Sequence, residues 1–167
     1  MTAYFWHLTL DVSQETMNLQ YLVNKTVSRA DSLSVMERTG RWAGCYHFEQ
    51  GDTITAVVHI EDKGVHTPTL RAVNSLHFVF LPKFPRSVAD LSPLRTEDAV
   101  VELSVPIPKS GPWISETESI ASQLGGWSAM GFLSISRAIE ADGGVIFDMP
   151  SVYRFDPEVI VGTGEEP

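Results

Sequence analysis

The sequence predicts an all-β domain in which two antiparallel sheets pack as a β-sandwich, of the jelly-roll or immunoglobulin-like kind, with one or two short helices. Two patterns support this prediction. Apolar residues repeat with a period of two in several short runs, which is typical of strands that bury one face. The chain also has 12 glycines and 10 prolines among 167 residues, and many of them separate those runs, which favours turns over long helices. Roughly seven or eight short strands fit this spacing, and two packed sheets suit them better than one open sheet.

The first predicted strand is the run AYFWHLTLDV, residues 3–12. Its period places Tyr4, Trp6 and Leu8 on one side of the strand and His7 on the other side. Such alternation predicts that one face is buried and the other is open to solvent.

Residues 13–39 leave two interpretations open. Gln14–Lys25 fits either a short helix or an irregular loop, and Ser32–Met36 fits a brief strand.

The middle of the chain predicts a β-hairpin. Trp42–Phe48 and Thr53–Ile60 are rich in strand-forming residues, and a turn at Glu49–Asp52 separates them. Leu76–Leu81 and Ala99–Pro108 are further strands. The prolines near the end of the latter predict an edge strand, because proline cannot donate to the hydrogen-bond ladder.

A short helix is predicted after Ser115, because Ser115 and Glu118 have the spacing of a capping box. Gly125-Gly126 would end this helix. Strand character returns at Gly131–Ile139, which is followed by a turn at Asp142-Gly143-Gly144.

The last strand is predicted in VYRFDPEVIVG, residues 152–162, with an Asp-Pro step in its middle. Pro157 keeps Asp156 out of the helical region and removes one backbone donor. No partner acid or base accompanies Asp156 in the sequence, so the step predicts a bend in the strand and not a catalytic carboxylate. Residues 1–167 form one domain in this interpretation, and the acidic tail 163–167 is expected to be flexible.

The charge balance excludes several classes of partner. The chain has 12 Lys and Arg against 21 Asp and Glu, a formal net charge of −9. Binding of nucleic acid or of an anionic membrane surface requires clustered cations, so neither is expected. No apolar run approaches the ~20 residues that span a bilayer, and the first residues lack the features of a secretory signal. We expect a soluble, cytoplasmic protein.

Candidate catalytic groups are few. Cys45 is the single cysteine, so an intramolecular disulfide is excluded. Cys45 and His47 share one face of a predicted strand, but no third residue is evident to orient them, and Cys45 is interpreted as a core residue. No catalytic residue and no cofactor is predicted.

The histidines are the candidates for a metal site. Zinc requires three or four ligands, and none of the usual ligand spacings occurs in the sequence. A site could still form if strand histidines converged at the mouth of a sandwich, and the three candidates for it are His47, His59 and His77.

Three other residues are candidates for contact with a ligand or a partner protein. Trp113 and Trp127 follow proline- and glycine-rich stretches, which predicts that they lie on loops, and His66 lies in a polar connection. Exposed aromatic residues on loops often anchor a ligand or a second subunit. The alternative is that each indole covers the hydrophobic core, since large aromatic side chains are highly buried on average.

Two motifs resemble those of the AidA/PixA group of bacterial inclusion-body proteins. One is Gly51-Asp52 followed by a β-run, and the other is the close Phe155–Ile160, in which an aromatic residue precedes Asp-Pro. The first strand is also similar in kind. Asp11-Val12-Ser13 departs from the family's Asp-Thr-Glu at this place. The resemblance implies a self-associating β-sandwich with no catalytic residues to transfer.

Two functions therefore remain open. The first is a non-enzymatic β-sandwich that associates with itself as a homo-oligomer or with a partner protein. The second is a small-molecule or metal-binding protein of the cupin or jelly-roll kind, or an enzyme of that kind, that uses its strand histidines. The lack of catalytic motifs favours the first.

Overall fold

The computed structural model describes residues 1–11, 13–27, 43–61, 71–82, 94–95, 99–107, 111–119, 125–147 and 150–162. These residues form twelve β-strands and no helix. The strands are β1 (Ala3–Asp11), β2 (Gln20–Asn24), β3 (Tyr46–Phe48), β4 (Thr53–Glu61), β5 (Arg71–Pro82), β6 (Leu94–Arg95), β7 (Ala99–Pro106), β8 (Trp113–Ser119), β9 (Gly125–Ala141), β10 (Gly144–Phe147), β11 (Ser151–Phe155) and β12 (Glu158–Val161). Because this part of the chain is free of helix, it holds no helix that could cross a bilayer.

The described strands form two sheets. The smaller sheet has four strands in the order β2-β1-β4-β8, and the larger sheet has eight strands along the path β3-β12-β9-β5-β6. β9 also pairs with β10 and β11, and β5 also pairs with β7. The all-β prediction is confirmed for these residues. The antiparallel prediction is wrong in part, because β1 pairs with β4 and β3 pairs with β12 in parallel.

The predicted hairpin between β3 and β4 is wrong, although the turn between them is confirmed. β3 pairs with β12 in the larger sheet, whereas β4 lies between β1 and β8 in the smaller one. Asp52 explains the separation. Its buried carboxylate accepts hydrogen bonds from the backbone N–H groups of Thr2 (2.6 Å) and Glu49 (2.8 Å). The turn is therefore fastened to the start of β1, and β4 leaves it alongside β1.

The predicted helix after Ser115 is also wrong where the structure describes it, because Ser115 lies within β8. Thr55 lies opposite Thr117 and Val57 lies opposite Ile114, so one strand has an extra residue at this point, a β-bulge. The Ser115 hydroxyl accepts a hydrogen bond from the Ala56 N–H at 2.9 Å, which gives a partner to a donor at the bulge. The serine therefore completes a bulge and does not cap a helix.

The structure also describes three shorter segments for which the sequence predicts a helix end, a helix or loop, and a turn. Gly125-Gly126 begin β9 and do not end a helix, since they lie opposite Val161 and Ile160 of β12. The helical alternative for Gln14–Lys25 is wrong, because β2 occupies part of that range. The turn at Asp142-Gly143-Gly144 is confirmed, and Gly143 has a φ of +104°. Ser32–Met36, Trp42 and the tail 163–167 lie outside the described residues.

The Asp-Pro step interrupts the last strand and leaves its alignment intact. Phe155 lies opposite Gly131, and Glu158 lies opposite Ser128, so β11 and β12 pair with β9 in one continuous register. Asp156 is exposed, whereas Pro157 is buried. The step therefore separates two segments of one sheet, and the chain does not change sheets there.

One hydrophobic core is shared by both sheets. Trp6 of β1 is fully buried, and its ring lies 5.1 Å from that of Phe78, 5.7 Å from that of Phe155 and 6.2 Å from that of Tyr46, measured between centroids. These three partners belong to β5, β11 and β3 of the larger sheet. The alternation predicted for β1 is confirmed on this face, because Tyr4, Leu8 and Leu10 are also in the core.

Gly131 makes room for this aromatic cluster. A Cβ atom added to Gly131 would lie 1.9 Å from Cζ of Phe155, far inside van der Waals contact. Phe155 thus lies directly across the backbone of β9, where it also contacts the ring of Phe78 at 5.3 Å. A side chain at position 131 would push Phe155 away from Trp6.

We expect Gly131→Ala to lower the free energy of unfolding by about 2 kcal/mol, in the range typical of overpacked cores. Denaturant unfolding monitored by tryptophan fluorescence measures this change. Ser151→Ala, on the half-buried face of β11, is the matched control and should change stability by less than about 0.5 kcal/mol. If Phe155 is the clashing group, Gly131→Ala combined with Phe155→Leu should destabilise less than the sum of the single changes.

The turn at Asp52 also affects Tyr4, and this effect predicts a pH dependence. Burial raises the pKa of the Tyr4 phenol above its ordinary value, and the negative charges of Asp52 and Glu49 raise it further. Folding therefore favours the neutral phenol of Tyr4. This preference contributes fully to the free energy of unfolding below about pH 10, and the contribution is lost as the pH rises through the folded-state pKa of Tyr4. We expect Asp52→Asn to lower the pKa of Tyr4, as measured by ultraviolet titration with Tyr4→Phe for assignment. An unchanged or higher pKa in Asp52→Asn would contradict the charge effect.

Candidate functional site

The three histidines proposed for a metal site are not brought together. His59 lies on β4 of the smaller sheet, whereas His47 and His77 lie on β3 and β5 of the larger sheet, with β12 and β9 between these two strands. Within the described ranges, no group of three or more His, Cys, Asp or Glu side chains is placed to hold a metal ion. His66 lies outside the described residues.

His47 has a structural contact. Its Nε2 atom is hydrogen-bonded to the carbonyl oxygen of Gly162 and lies 3.8 Å from the Glu49 carboxylate. This bond joins β3 to the residue that follows β12, the strand with which β3 pairs.

The two candidate tryptophans lie in strands and not on loops, so that prediction is wrong. Trp113 begins β8 and Trp127 lies near the start of β9, and both side chains are buried in the hydrophobic core. Their positions agree with the alternative interpretation, in which each indole covers the core. A glycine- or proline-rich stretch indicates a turn, but the residue after the turn can already belong to the next strand.

The structure instead pairs His59 with His7. β1 and β4 are parallel neighbours in which Thr9 lies opposite His59, so His7 and His59 lie on the same face of the smaller sheet, diagonally across the two strands. Nδ1 of His7 lies 3.0 Å from Nε2 of His59. We name these two side chains the histidine pair.

The protonation of the histidine pair follows from its neighbours. The backbone N–H of Thr26 is a donor, and it lies 3.0 Å from the Asn24 side-chain Oδ1, which is therefore an acceptor. Nε2 of His7 lies 3.0 Å from this same Oδ1 and 3.0 Å from the carbonyl oxygen of Thr26. Both neighbours are acceptors, so Nε2 of His7 carries a proton. When both rings are neutral, Nδ1 of His7 accepts the hydrogen bond and Nε2 of His59 donates it.

The face that holds the histidine pair is not open to solvent. His7 is 1% exposed, and Thr9, Thr55 and Val57 on the same face are buried as well. The expectation of solvent-facing histidines is therefore wrong for His7, while His59 is half-buried. The alternation in the sequence places His7 and His59 on the faces of β1 and β4 opposite to their main apolar faces. Only the parallel pairing of β1 with β4 shows that the two side chains meet.

A second feature lies on the outer face of the larger sheet, the face turned away from the core. Val79 lies opposite Met130, Phe132 lies opposite Arg154, and Ser134 lies opposite Val152. Side chains in directly opposed positions share a face. We name the apolar members of this face the outer patch: Val79, Met130, Phe132 and Val152.

Exposure is high at two positions of the outer patch. Val152 is 53% exposed and Met130 is 37% exposed, whereas Val79 and Phe132 are half-buried. Two exposed charges of opposite sign lie beside the patch, Arg154 and Asp156. Nε of Arg154 donates a hydrogen bond to the Asn18 side chain at 2.8 Å, which fixes the guanidinium on β11.

No known protein-family model matches the chain, and no curated protein is similar to it in sequence. The function is therefore inferred from the histidine pair and the outer patch.

The arrangement of the histidine pair predicts a specific tautomer. We expect nitrogen NMR of the neutral imidazole rings to show a proton on Nε2 of His7 and on Nε2 of His59. Asn24→Ala should weaken the preference of His7 for this tautomer, because one of its two acceptors is lost. A proton on Nδ1 of neutral His7 would show that the assignment is wrong.

Proposed function

We propose that this protein is a non-enzymatic β-sandwich that acts by self-association and forms a homodimer through the outer patch. The observation that carries the proposal is the register that places two exposed and two half-buried apolar side chains on one face of β5, β9 and β11. The second sheet covers the opposite face of these strands through the shared core. The outer face is therefore the surface of the larger sheet that a partner can bury.

The outer patch differs from the ordinary exposure of single apolar residues. Isolated exposed valines or methionines are common on soluble proteins. Here Met130, Phe132 and Val152 lie on the same face of two neighbouring strands, and apolar residues that are grouped on one face are typical of interaction sites. Burial of such surface contributes about 25 cal/mol for each Å² removed from water.

The charges beside the patch favour a second copy as the occupant. Arg154 and Asp156 lie two residues apart, about 7 Å along an extended chain. A two-fold axis that passes between them would place each guanidinium opposite the carboxylate of the other copy, so the contact is formed twice. A partner of uniform charge would satisfy one of the two groups and repel the other.

The edges at β8 and β3 are less suitable for self-association. Edge strands pair with other chains when they are long and flat. β8 is an edge of the smaller sheet, but it carries a bulge and the exposed Glu116. β3 has three residues, too few for a stable ladder. These features favour association through a face over association through an edge.

The resemblance to the AidA/PixA group supports the same proposal, since it implies a self-associating β-sandwich. The formal net charge of −9 favours a protein partner over nucleic acid. The homodimer contact would bring together like-charged molecules, so apolar burial and the two Arg154–Asp156 contacts must offset their repulsion.

The proposal predicts that a charge placed in the outer patch prevents association. We expect Val152→Asp and Met130→Asp each to raise the dissociation constant of the dimer about tenfold or more, because a buried unpaired charge is strongly unfavourable. Sedimentation or light scattering over a range of protein concentrations measures this constant. Ile114→Asp is the matched control, since Ile114 is 49% exposed on the other sheet, and it should leave association unchanged.

A second experiment reverses the charges at positions 154 and 156. Arg154→Glu and Asp156→Arg should each weaken the dimer, and the double variant should restore it, because the contacts are re-formed with reversed signs. Asn18→Ala controls for loss of the bond that Arg154 makes within one chain. A wild-type monomer at all concentrations, or equal weakening by Ile114→Asp, would overturn the proposal.

A further inference from the structure

Met130 lies beside the interruption of the neighbouring strand in the larger sheet. β11 ends at Phe155 and β12 begins at Glu158, so the Asp156-Pro157 step is the part of the chain that continues the register past Met130. On the other side of β9, Val79 of β5 lies opposite Met130. The Met130 side chain is 37% exposed, and an oxidant in solution can therefore reach its sulfur atom.

These neighbours suit a thioether better than a polar group. The side chain of Val79 has no hydrogen-bond donor, and the carboxylate of Asp156 only accepts hydrogen bonds. In a single chain, an oxygen atom added to the sulfur of Met130 would be hydrated, because the side chain is partly exposed. A second copy seated on the outer patch would exclude that water, and the oxygen atom would be buried without a donor from either neighbour.

We propose that Met130 is a site of reversible oxidation by peroxide and that its sulfoxide opposes self-association. This inference rests on the homodimer proposed above. One oxygen atom is transferred from hydrogen peroxide to the sulfur of Met130: the O–O bond breaks, an S–O bond forms, and water is released. The sulfur loses two electrons and the peroxide gains them. Methionine sulfoxide reductases, one for each epimer of the sulfoxide, reverse the change.

Oxidation and association compete for the same side chain. The thioether of methionine is apolar and adapts to an irregular contact surface, whereas the sulfoxide is polar and chiral. The second copy would cover the sulfur of Met130 in the dimer, so oxidation acts on the monomer and retains the chain in that state. Association in turn protects the sulfur from peroxide.

The proposal is tested by treatment with hydrogen peroxide, followed by peptide mass mapping and sedimentation. We expect a sulfoxide at Met130 and a dissociation constant about tenfold or more above that of the untreated protein, because burial of a polar group without a partner is unfavourable. Treatment with the two reductases should restore the original constant. A thiol reductant added after the peroxide reverses mild oxidation of Cys45 and leaves methionine sulfoxide unchanged.

Two leucine variants separate Met130 from the other methionines, since leucine is similar in volume and has no sulfur. Met130→Leu should have the same dissociation constant before and after peroxide. Met17→Leu should lose affinity on treatment as the wild type does, although Met17 is the more exposed of the two at 53%.

The competition between oxidation and association is measured by the rate of sulfoxide formation. The rate at Met130 should fall as the protein concentration rises above the dissociation constant. Met1 is fully exposed and lies near the turn at Gly51, so its rate should not change and serves as the internal reference.

Three results would contradict the proposal: no sulfoxide at Met130 in the monomer, an unchanged dissociation constant when Met130 is fully oxidised, or equal weakening of Met130→Leu by peroxide. These results are distinct from failure of the homodimer itself. An untreated wild type that stays monomeric at all concentrations would overturn both proposals, whereas a dimer that peroxide leaves intact would overturn this inference alone.

Discussion

The missing side chain at Gly131 is the constraint on which the core depends. Phe155 lies across the backbone of β9 where a Cβ atom would otherwise be, and from there its ring contacts both Phe78 and Trp6. Trp6 belongs to the smaller sheet, whereas the two phenylalanines belong to the larger one. The space above one glycine therefore allows the aromatic side chains of two sheets to pack as a single cluster.

The parallel pairing of β1 with β4 creates the histidine pair. The carboxylate of Asp52 binds the backbone at both Thr2 and Glu49, so the two strands begin side by side and run in the same direction. Their inward faces supply Trp6 and Val58 to the core, while their second faces bring together His7 and His59. Because His7 is buried, its hydrogen bonds to Asn24 and Thr26 satisfy a ring that water does not reach.

The two candidate functional features lie on different sheets. The histidine pair belongs to the smaller sheet, and the outer patch belongs to the larger sheet on the side away from the core. A dimer through the outer patch would thus leave the histidine pair uncovered by the contact.

The sequence by itself determined the strand character of most described segments and the orientation of their core faces, because alternation and turn residues are local properties. It identified β1, β4 and the turn at Asp142-Gly143-Gly144, and it located the interruption at Asp156-Pro157. The tertiary structure decided which strands are neighbours, since a period of two specifies a face but no partner. For this reason the predicted hairpin of β3 with β4 is wrong. The helix after Ser115 and the loop positions of Trp113 and Trp127 are wrong because a capping-box spacing and glycine- or proline-rich stretches also occur in or beside strands. The meeting of His7 with His59 and the alignment of Met130 with Val152 on one face likewise depend on pairings between segments far apart in the chain, which no local pattern encodes.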